Sequence, residues 1–158
     1  MKTIAEILTA RQETLATAES LTGGLIAEIL TRQSGASAWF LGAFVVYTPK
    51  MKNEILGIPC EIFEKYGVIS KECAEKMAQG AISKSGATWA LSATGIAGPD
   101  SVFENGIQKP VGLVCMGVAN KNGEIFSYEK NFTGTRLEIR QQTADFLLHS
   151  FLKKLSEN

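Results

Sequence analysis

A three-layer α/β/α sandwich around a mixed β-sheet is the fold class this sequence predicts, on three observations. Apolar, strand-like segments alternate with helical stripes between residues 14 and 96. Two alternating segments flank a Lys-Asn-Gly turn at 121–123, the pattern of a β-hairpin. A long amphipathic stretch then runs from Thr135 towards the C-terminus. Strand–helix alternation gives parallel neighbours and a hairpin adds antiparallel ones, so the sheet is mixed and covered on both faces.

The elements follow in order. Ile4, Ile7 and Leu8 line one side of an opening helix that ends before Thr14. "TLATAE" (14–19) is small and apolar enough for a buried strand. "TGGLIAEILTRQSG" (22–35) places Leu25, Ile26, Ile29 and Leu30 on one helical face, with Gly35 as its stop signal. "AWFLGAFVVYT" (38–48) is aromatic and β-branched, hence a strand. Thr48-Pro49 reads as an N-cap followed by a first-turn proline, opening a helix through about Leu56. Ser70 is the N-cap of the next helix, and "TWALSATGI" (88–96) is the next strand, with Trp39 and Trp89 read as core. "GPDSVFENGIQKP" (98–110) reads as a long connecting loop, a class that often carries function.

The 158 residues, 45% apolar and 20% charged, fit a single domain over 1–158 with a sizeable core. Sixteen basic side chains balance sixteen acidic ones, so nothing in the charge points to nucleic acid or an acidic membrane surface. Cys60, Cys73 and Cys115 are odd in number and form no C-x-x-C, which argues for reduced thiols in a cytoplasmic protein rather than disulfides or zinc. No apolar run approaches the roughly 18 residues of a membrane span, and the start does not read as a signal peptide.

Four stretches can carry chemistry. In "TAESLTGG" (17–24) a strand runs directly into a helix, so Ser20 falls at the carboxyl edge of the sheet, where open α/β folds place ligands. The backbone N–H groups of Thr22, Gly23 and Gly24 would there face an oxyanion or phosphate. Spacing alone leaves Ser20 either a helix cap or a nucleophile. The one histidine, His149, lies in the last helix with no motif around it, so a Ser-His-Asp triad is disfavoured and a lysine base remains. "VVYTPKMK" (45–52) offers Lys50 and Lys52 beside Tyr47, near a helix start where the dipole disfavours a cation. "SATGIAGPD" (92–100) is a strand ending in a glycine-rich bend with Asp100. "NFTGTRLEIR" (131–140) sets Arg136 and Arg140 one turn apart, a pattern suited to phosphate or carboxylate and equally to a solvated face.

Taken in this order, "TAESLTGG", "SAWF", "FVVYTPKMKNEILGI", "GVIS", "SATGIAGPD", "KPVG" and "FTGTR" resemble the CinA C-terminal-domain family, the stand-alone nicotinamide-nucleotide amidases. The resemblance covers about residues 14 to 140. It implies hydrolysis of the carboxamide of nicotinamide mononucleotide to nicotinic acid mononucleotide and ammonia, with no metal and no cofactor. It also implies Ser20 as nucleophile, Lys52 (rather than Lys50) as base and Tyr47 beside it. The substrate-binding set carried over is Glu19, Thr22, Gly23, Gly24, Gly95, Ile96, Ala97, Gly98, Pro99, Asp100, Arg136 and Arg140. Expected partners are the small-molecule substrate and further copies of the same chain, without nucleic acid or membrane. A nucleotide-binding module without turnover, or an amidase for another small amide, are the alternatives. The chain departs from the family at Leu21, where cysteine is common, at Thr135, where aspartate is frequent, and at 101–108, which is longer and less glycine-rich. The metal-dependent N-terminal domain of full-length relatives has no counterpart in these residues, so its pyrophosphatase activity is not expected.

Overall fold

Strands β1 (Leu15–Glu19), β2 (Phe40–Val45), β3 (Trp89–Gly95), β6 (Leu113–Asn120) and β7 (Ile125–Asn131) form one sheet in the order β2-β1-β3-β6-β7. A separate two-stranded hairpin joins β4 (Val102–Glu104) to β5 (Ile107–Lys109). The computed structural model describes residues 2–157. β1 runs parallel to both β2 and β3, while β3, β6 and β7 are successively antiparallel, which is the mixed sheet the pattern predicts.

Side chains alternate across the sheet with period two. Leu15, Leu91, Ala93, Val114, Met116 and Val118 pack towards helices α1 (Ile4–Arg11), α2 (Leu25–Thr31) and α6 (Arg136–Glu157). Ala18, Ala90 and Ala119 pack on the other face, against α3 (Pro49–Leu56), α4 (Cys60–Tyr66) and α5 (Lys71–Ser85). The small residues on that second face let α5 lie close to the sheet. Ser92 Oγ donates to the Ala74 carbonyl, and a Cβ on Gly117 would sit 2.7 Å from that same oxygen. Trp39 and Trp89 are core residues, each 3% exposed.

The caps read from sequence form as expected at two helices. Thr48 Oγ1 accepts the Met51 N–H with Pro49 at the first position, and Ser70 Oγ accepts the Cys73 N–H. Two expectations are corrected, and one helix is added. The 98–110 segment is not a plain loop, because the β4–β5 hairpin closes on an Asn105-Gly106 turn with both residues at positive φ. Helix α4 was not legible, being seven residues set between Pro59 and Gly67. Thr22 does not open α2: the helix begins at Leu25 behind Gly24 in the left-handed region, and it ends at Thr31, before Gly35.

Helix α5 also presses on α3. A Cβ on Gly80 would lie 2.5 Å from the Leu56 carbonyl oxygen and 2.8 Å from its Cβ. Alanine favours an open helix over glycine by about 1 kcal/mol, yet Gly80→Ala is expected to destabilise by about 1–3 kcal/mol through overpacking. Thermal or urea unfolding of the variant checks the sign.

Candidate active site

Ser20 directly follows β1, and its N–H continues the sheet by donating to the Ala93 carbonyl at 3.0 Å. The chain then turns sharply. Gly23 N–H donates to the Ser20 carbonyl, and Gly23 and Gly24 take positive φ values of 57° and 99° that side chains with a Cβ rarely adopt.

Glu19 explains how so tight a turn is held. Alternation along β1 directs its side chain to the α2 face, where it is fully buried. Its carboxylate accepts the N–H groups of Gly24 (2.9 Å), Ile26 (3.1 Å) and Ala27 (2.9 Å), with the Thr17 hydroxyl at 3.1 Å. A buried carboxyl group at a helix start, satisfied by orphan N–H groups, serves as a cap supplied from outside the helix. Glu19 therefore faces α2 and not the substrate, a correction to the expected set. With the Gly24 N–H committed to Glu19 and the Gly23 N–H to the Ser20 carbonyl, these two do not form the anion cradle the spacing suggested.

Arg140 holds the turn from the other side. Its Nε and Nη2 donate to the carbonyls of Leu21 and Thr22 at 3.0 and 2.8 Å. It is a brace for the backbone behind Ser20, again a correction to the substrate-contact role. Thr22 is fully buried, and its hydroxyl makes no hydrogen bond.

Lys52 arrives from α3, whose start is fixed by Thr48 and Pro49. Its Nζ lies 2.9 Å from Ser20 Oγ, and it donates to the main-chain carbonyls of Val46 at 2.9 Å and Tyr47 at 3.4 Å. Lys52 is fully buried, and among the described residues no ion pair involves it. Burial lowers its pKa from 10.5 to about 8. Beneath it, burial pushes the Cys73 thiol up to about 12, so this neighbour stays neutral and offers no counter-charge. Lys50 is exposed and sits 3.8 Å from Glu54 one turn on.

A cavity of about 250 Å³ opens onto Ser20, walled by Ser20, Leu21, Tyr47, Thr94, Val102 and Glu104 among others, with Lys52 buried behind it. Larger hollows lie elsewhere: one of about 350 Å³ between Ile4, Trp39 and Leu148 includes neither Ser20 nor Lys52. At the rim, Arg136 bridges two segments, with Nη1 donating to the Gly98 carbonyl at 2.6 Å and Nη2 to the Tyr47 hydroxyl at 2.8 Å. Gly95 lines the cavity; Pro99 and Asp100 are exposed beyond the cis Gly98–Pro99 bond. Ile96 and Ala97, both 4% exposed, have their side chains in the core, and the Ile96 N–H and carbonyl are spent on Leu113 and Gly112. Their side chains support the bend, and the Ile96 backbone is already engaged within the fold. Glu104 was missed; the Asn-Gly turn between Phe103 and Ile107 was the signal that would have brought it in.

The family model described as the CinA C-terminal domain matches residues 1–155. The chain belongs to this family. A CinA-like protein of Leptospira biflexa is 43% identical over 143 residues, which is 89% of this chain and 34% of that protein. The nicotinamide-nucleotide amidohydrolase PncC of Enterobacter agglomerans is 41% identical over 141 residues, covering 89% of this chain and 84% of PncC. The CinA domain described here thus spans about a third of the length of the CinA-like protein and most of PncC. Among solved structures, the competence damage-inducible protein A of Klebsiella pneumoniae superposes with a TM-score of 0.91 at 27% identity, covering 97% of this chain and 92% of that one. CihA of Agrobacterium tumefaciens superposes with a TM-score of 0.86 at 38% identity, covering 94% and 88%. Among the described residues no helix is long and apolar enough to cross a membrane.

The Glu19 cap carries a stability prediction. Glu19→Ala orphans three N–H groups at the α2 start and is expected to cost about 3 kcal/mol or more, with Glu19→Gln, which keeps one acceptor oxygen, in between. Denaturant unfolding of both variants beside the wild type measures it.

Proposed function

We propose that this CinA domain hydrolyses the carboxamide of nicotinamide mononucleotide, with Ser20 as nucleophile and Lys52 as general base. The observation that carries the reading is the buried Lys52 amine, 2.9 Å from Ser20 Oγ with no acidic partner. Similarity to PncC, described as a nicotinamide-nucleotide amidohydrolase, supports the substrate.

A neutral amine has two N–H bonds and one lone pair. Carbonyl oxygens only accept, so the Val46 and Tyr47 carbonyls take the two N–H bonds and turn the lone pair towards the Ser20 hydroxyl. Ser20 gives its proton to Lys52 as its oxygen bonds the carboxamide carbon, placing negative charge on the former carbonyl oxygen. With Gly23 and Gly24 N–H committed, the Leu21 and Thr22 N–H groups take the oxyanion role. Lys52 then returns the proton to the leaving nitrogen, the C–N bond breaks, and ammonia departs from a Ser20 ester. Water, giving its proton to Lys52, attacks the ester; the acid forms, and Ser20 recovers its proton. Tyr47 acts at the rim, its hydroxyl held by Arg136.

Self-assembly belongs to the same proposal. Edge strand β2 exposes Leu41 (48%) and Val45 (50%) beside Tyr47 and presents no charged residue, a surface suited to a second copy. Three free cysteines fit a cytoplasmic setting. Light scattering on the purified chain tests the assembly.

Ser20→Ala and Lys52→Met are each expected to lower ammonia release from nicotinamide mononucleotide by about 10³-fold or more while remaining folded. The double variant should be no slower than either single one, because the two groups act as a unit. Near-normal turnover by Ser20→Ala would sink the covalent scheme; tight binding without ammonia release by the wild type would favour a binding module.

The active form is the deprotonated amine. With the Lys52 pKa lowered to about 8, about a tenth is neutral at pH 7. The kcat/KM value should rise with unit slope up to about pH 8 and level off above it, as a pH–rate profile will show.

A further inference from the structure

The β4–β5 hairpin, which departs from the family pattern in sequence, forms one wall of the Ser20 cavity. It is pinned there by two charged side chains. Glu104 Oε1 accepts from Lys109 Nζ at 2.7 Å and from the Ile69 N–H at 2.9 Å, and Oε2 accepts the Val68 N–H at 3.0 Å. Lys109 also donates to the Ile69 carbonyl at 2.6 Å. The turn beneath is shaped to receive them: Gly67 has φ +85°, and a Cβ there would lie 2.5 Å from Glu104 Oε1.

The charges of this clamp are not symmetric with respect to the cavity. Among the described residues that line it, Glu104 is the one charged side chain; Lys109 is not in the lining. Burial pushes the Glu104 carboxyl up, but bonds from Lys109, Ile69 and Val68 outweigh that and hold it below the ordinary value, so it is an anion at neutral pH. The rest of the lining offers the Ser20 and Thr94 hydroxyls and no cation, since Lys52 is buried behind Ser20 and outside the lining. The cavity therefore presents a negative wall to whatever amide enters it. A partly dry cavity strengthens such an interaction relative to water.

We propose that Glu104 is a specificity-determining residue that selects amides on a cationic ring over neutral amides of the same shape. The inference rests on the amidase reading above and deepens it. The carboxamide of nicotinamide mononucleotide is borne on a pyridinium ring whose nitrogen is quaternary, so the substrate brings a fixed positive charge next to the scissile group. Free nicotinamide lacks that charge. After hydrolysis the product carries a new carboxylate at Ser20, where the same anionic wall disfavours its retention.

The test uses two probes of equal shape, ring-N-methylated nicotinamide, a cation, and meta-toluamide, its neutral isostere. Binding is followed by NMR titration at the amide resonances of the Ser20 turn, which requires no turnover. Wild type should bind the cation about tenfold more tightly than the isostere. Glu104→Gln should bring the ratio close to one. Lys109→Met, which removes the partner outside the cavity, should keep or raise the ratio. Equal binding of the two probes by wild type overturns the proposal, and so does a preference that survives Glu104→Gln. Loss of the preference in Lys109→Met as complete as in Glu104→Gln also overturns it, leaving Glu104 a clamp for the hairpin. Where Glu104→Gln does not fold, the wild-type comparison decides. A wild type that prefers the cation but releases no ammonia from nicotinamide mononucleotide overturns the amidase reading instead, so the two failures are distinct.

Discussion

The site depends on placing a primary amine where water cannot reach it and no carboxylate compensates it. A cation so placed carries a large desolvation cost, and the protein answers by lowering the proton affinity of Lys52 rather than by pairing it. That choice dictates the surroundings. The amine must be held by acceptors that cannot themselves donate, and the carbonyls of Val46 and Tyr47, where β2 gives way to α3, fill that role. The start of α3 must then be held in place, which the Thr48 cap and Pro49 secure locally. From behind, α5 presses on α3 through the space that Gly80 leaves empty.

Glu19 and Lys52 form a complementary pair of solutions to one problem. Both are ionisable, both fully buried, and they lie within a short reach of Ser20 in the chain or in space. An ion pair between them would raise the lysine pKa again and, on the proposed mechanism, weaken the base. The pleat of β1 prevents this by sending the Glu19 side chain to the α2 face, while Lys52 comes from α3 on the α5 face. The carboxylate is satisfied by backbone N–H donors and the amine by backbone carbonyl acceptors. Each end of the backbone dipole thus serves one residue, and the sheet keeps the two apart. The tight turn between them, with two glycines at positive φ, is the consequence.

Much of this was legible in the sequence because it is local. Strand alternation, the Lys-Asn-Gly hairpin, and the Thr48 and Ser70 caps depend on neighbours within a few residues, and the structure forms each of them. Ser20 beside Lys52 needed more: the absence of a usable histidine narrowed the base, and the family likeness chose between Lys50 and Lys52. What escaped was set by partners distant in the chain. The task of Glu19 is defined by N–H groups that only the folded turn points at it. Arg140 bonds carbonyls more than a hundred positions away, and Glu104 bonds a turn 35 residues before it. Helix α4 is too short to show a period. The β4–β5 hairpin is the exception, since its Asn105-Gly106 turn is a local signal in the sequence.

The two arginines of α6 show why spacing alone misassigns roles. One turn apart, they read as equivalent, yet the packing of α6 against α2 separates them. Arg140 points inward, and its fork is spent on the carbonyls behind Ser20, where a cation also offsets the exposed carbonyl ends of a tight turn. Arg136 stays exposed at the mouth and uses one N–H of each terminal nitrogen, on Gly98 and on Tyr47. A guanidinium has five N–H donors, so three remain for oxygens arriving from solvent. On the proposed reading, a phosphate can therefore be received at the rim without undoing the latch that ties the Gly98 bend to Tyr47. Glu104 lines the same cavity as Ser20, and the exposed Arg136 fork lies outside that lining. A substrate with a cationic ring at one end and a phosphate at the other matches that order of charges in one orientation only, with its carboxamide end inward.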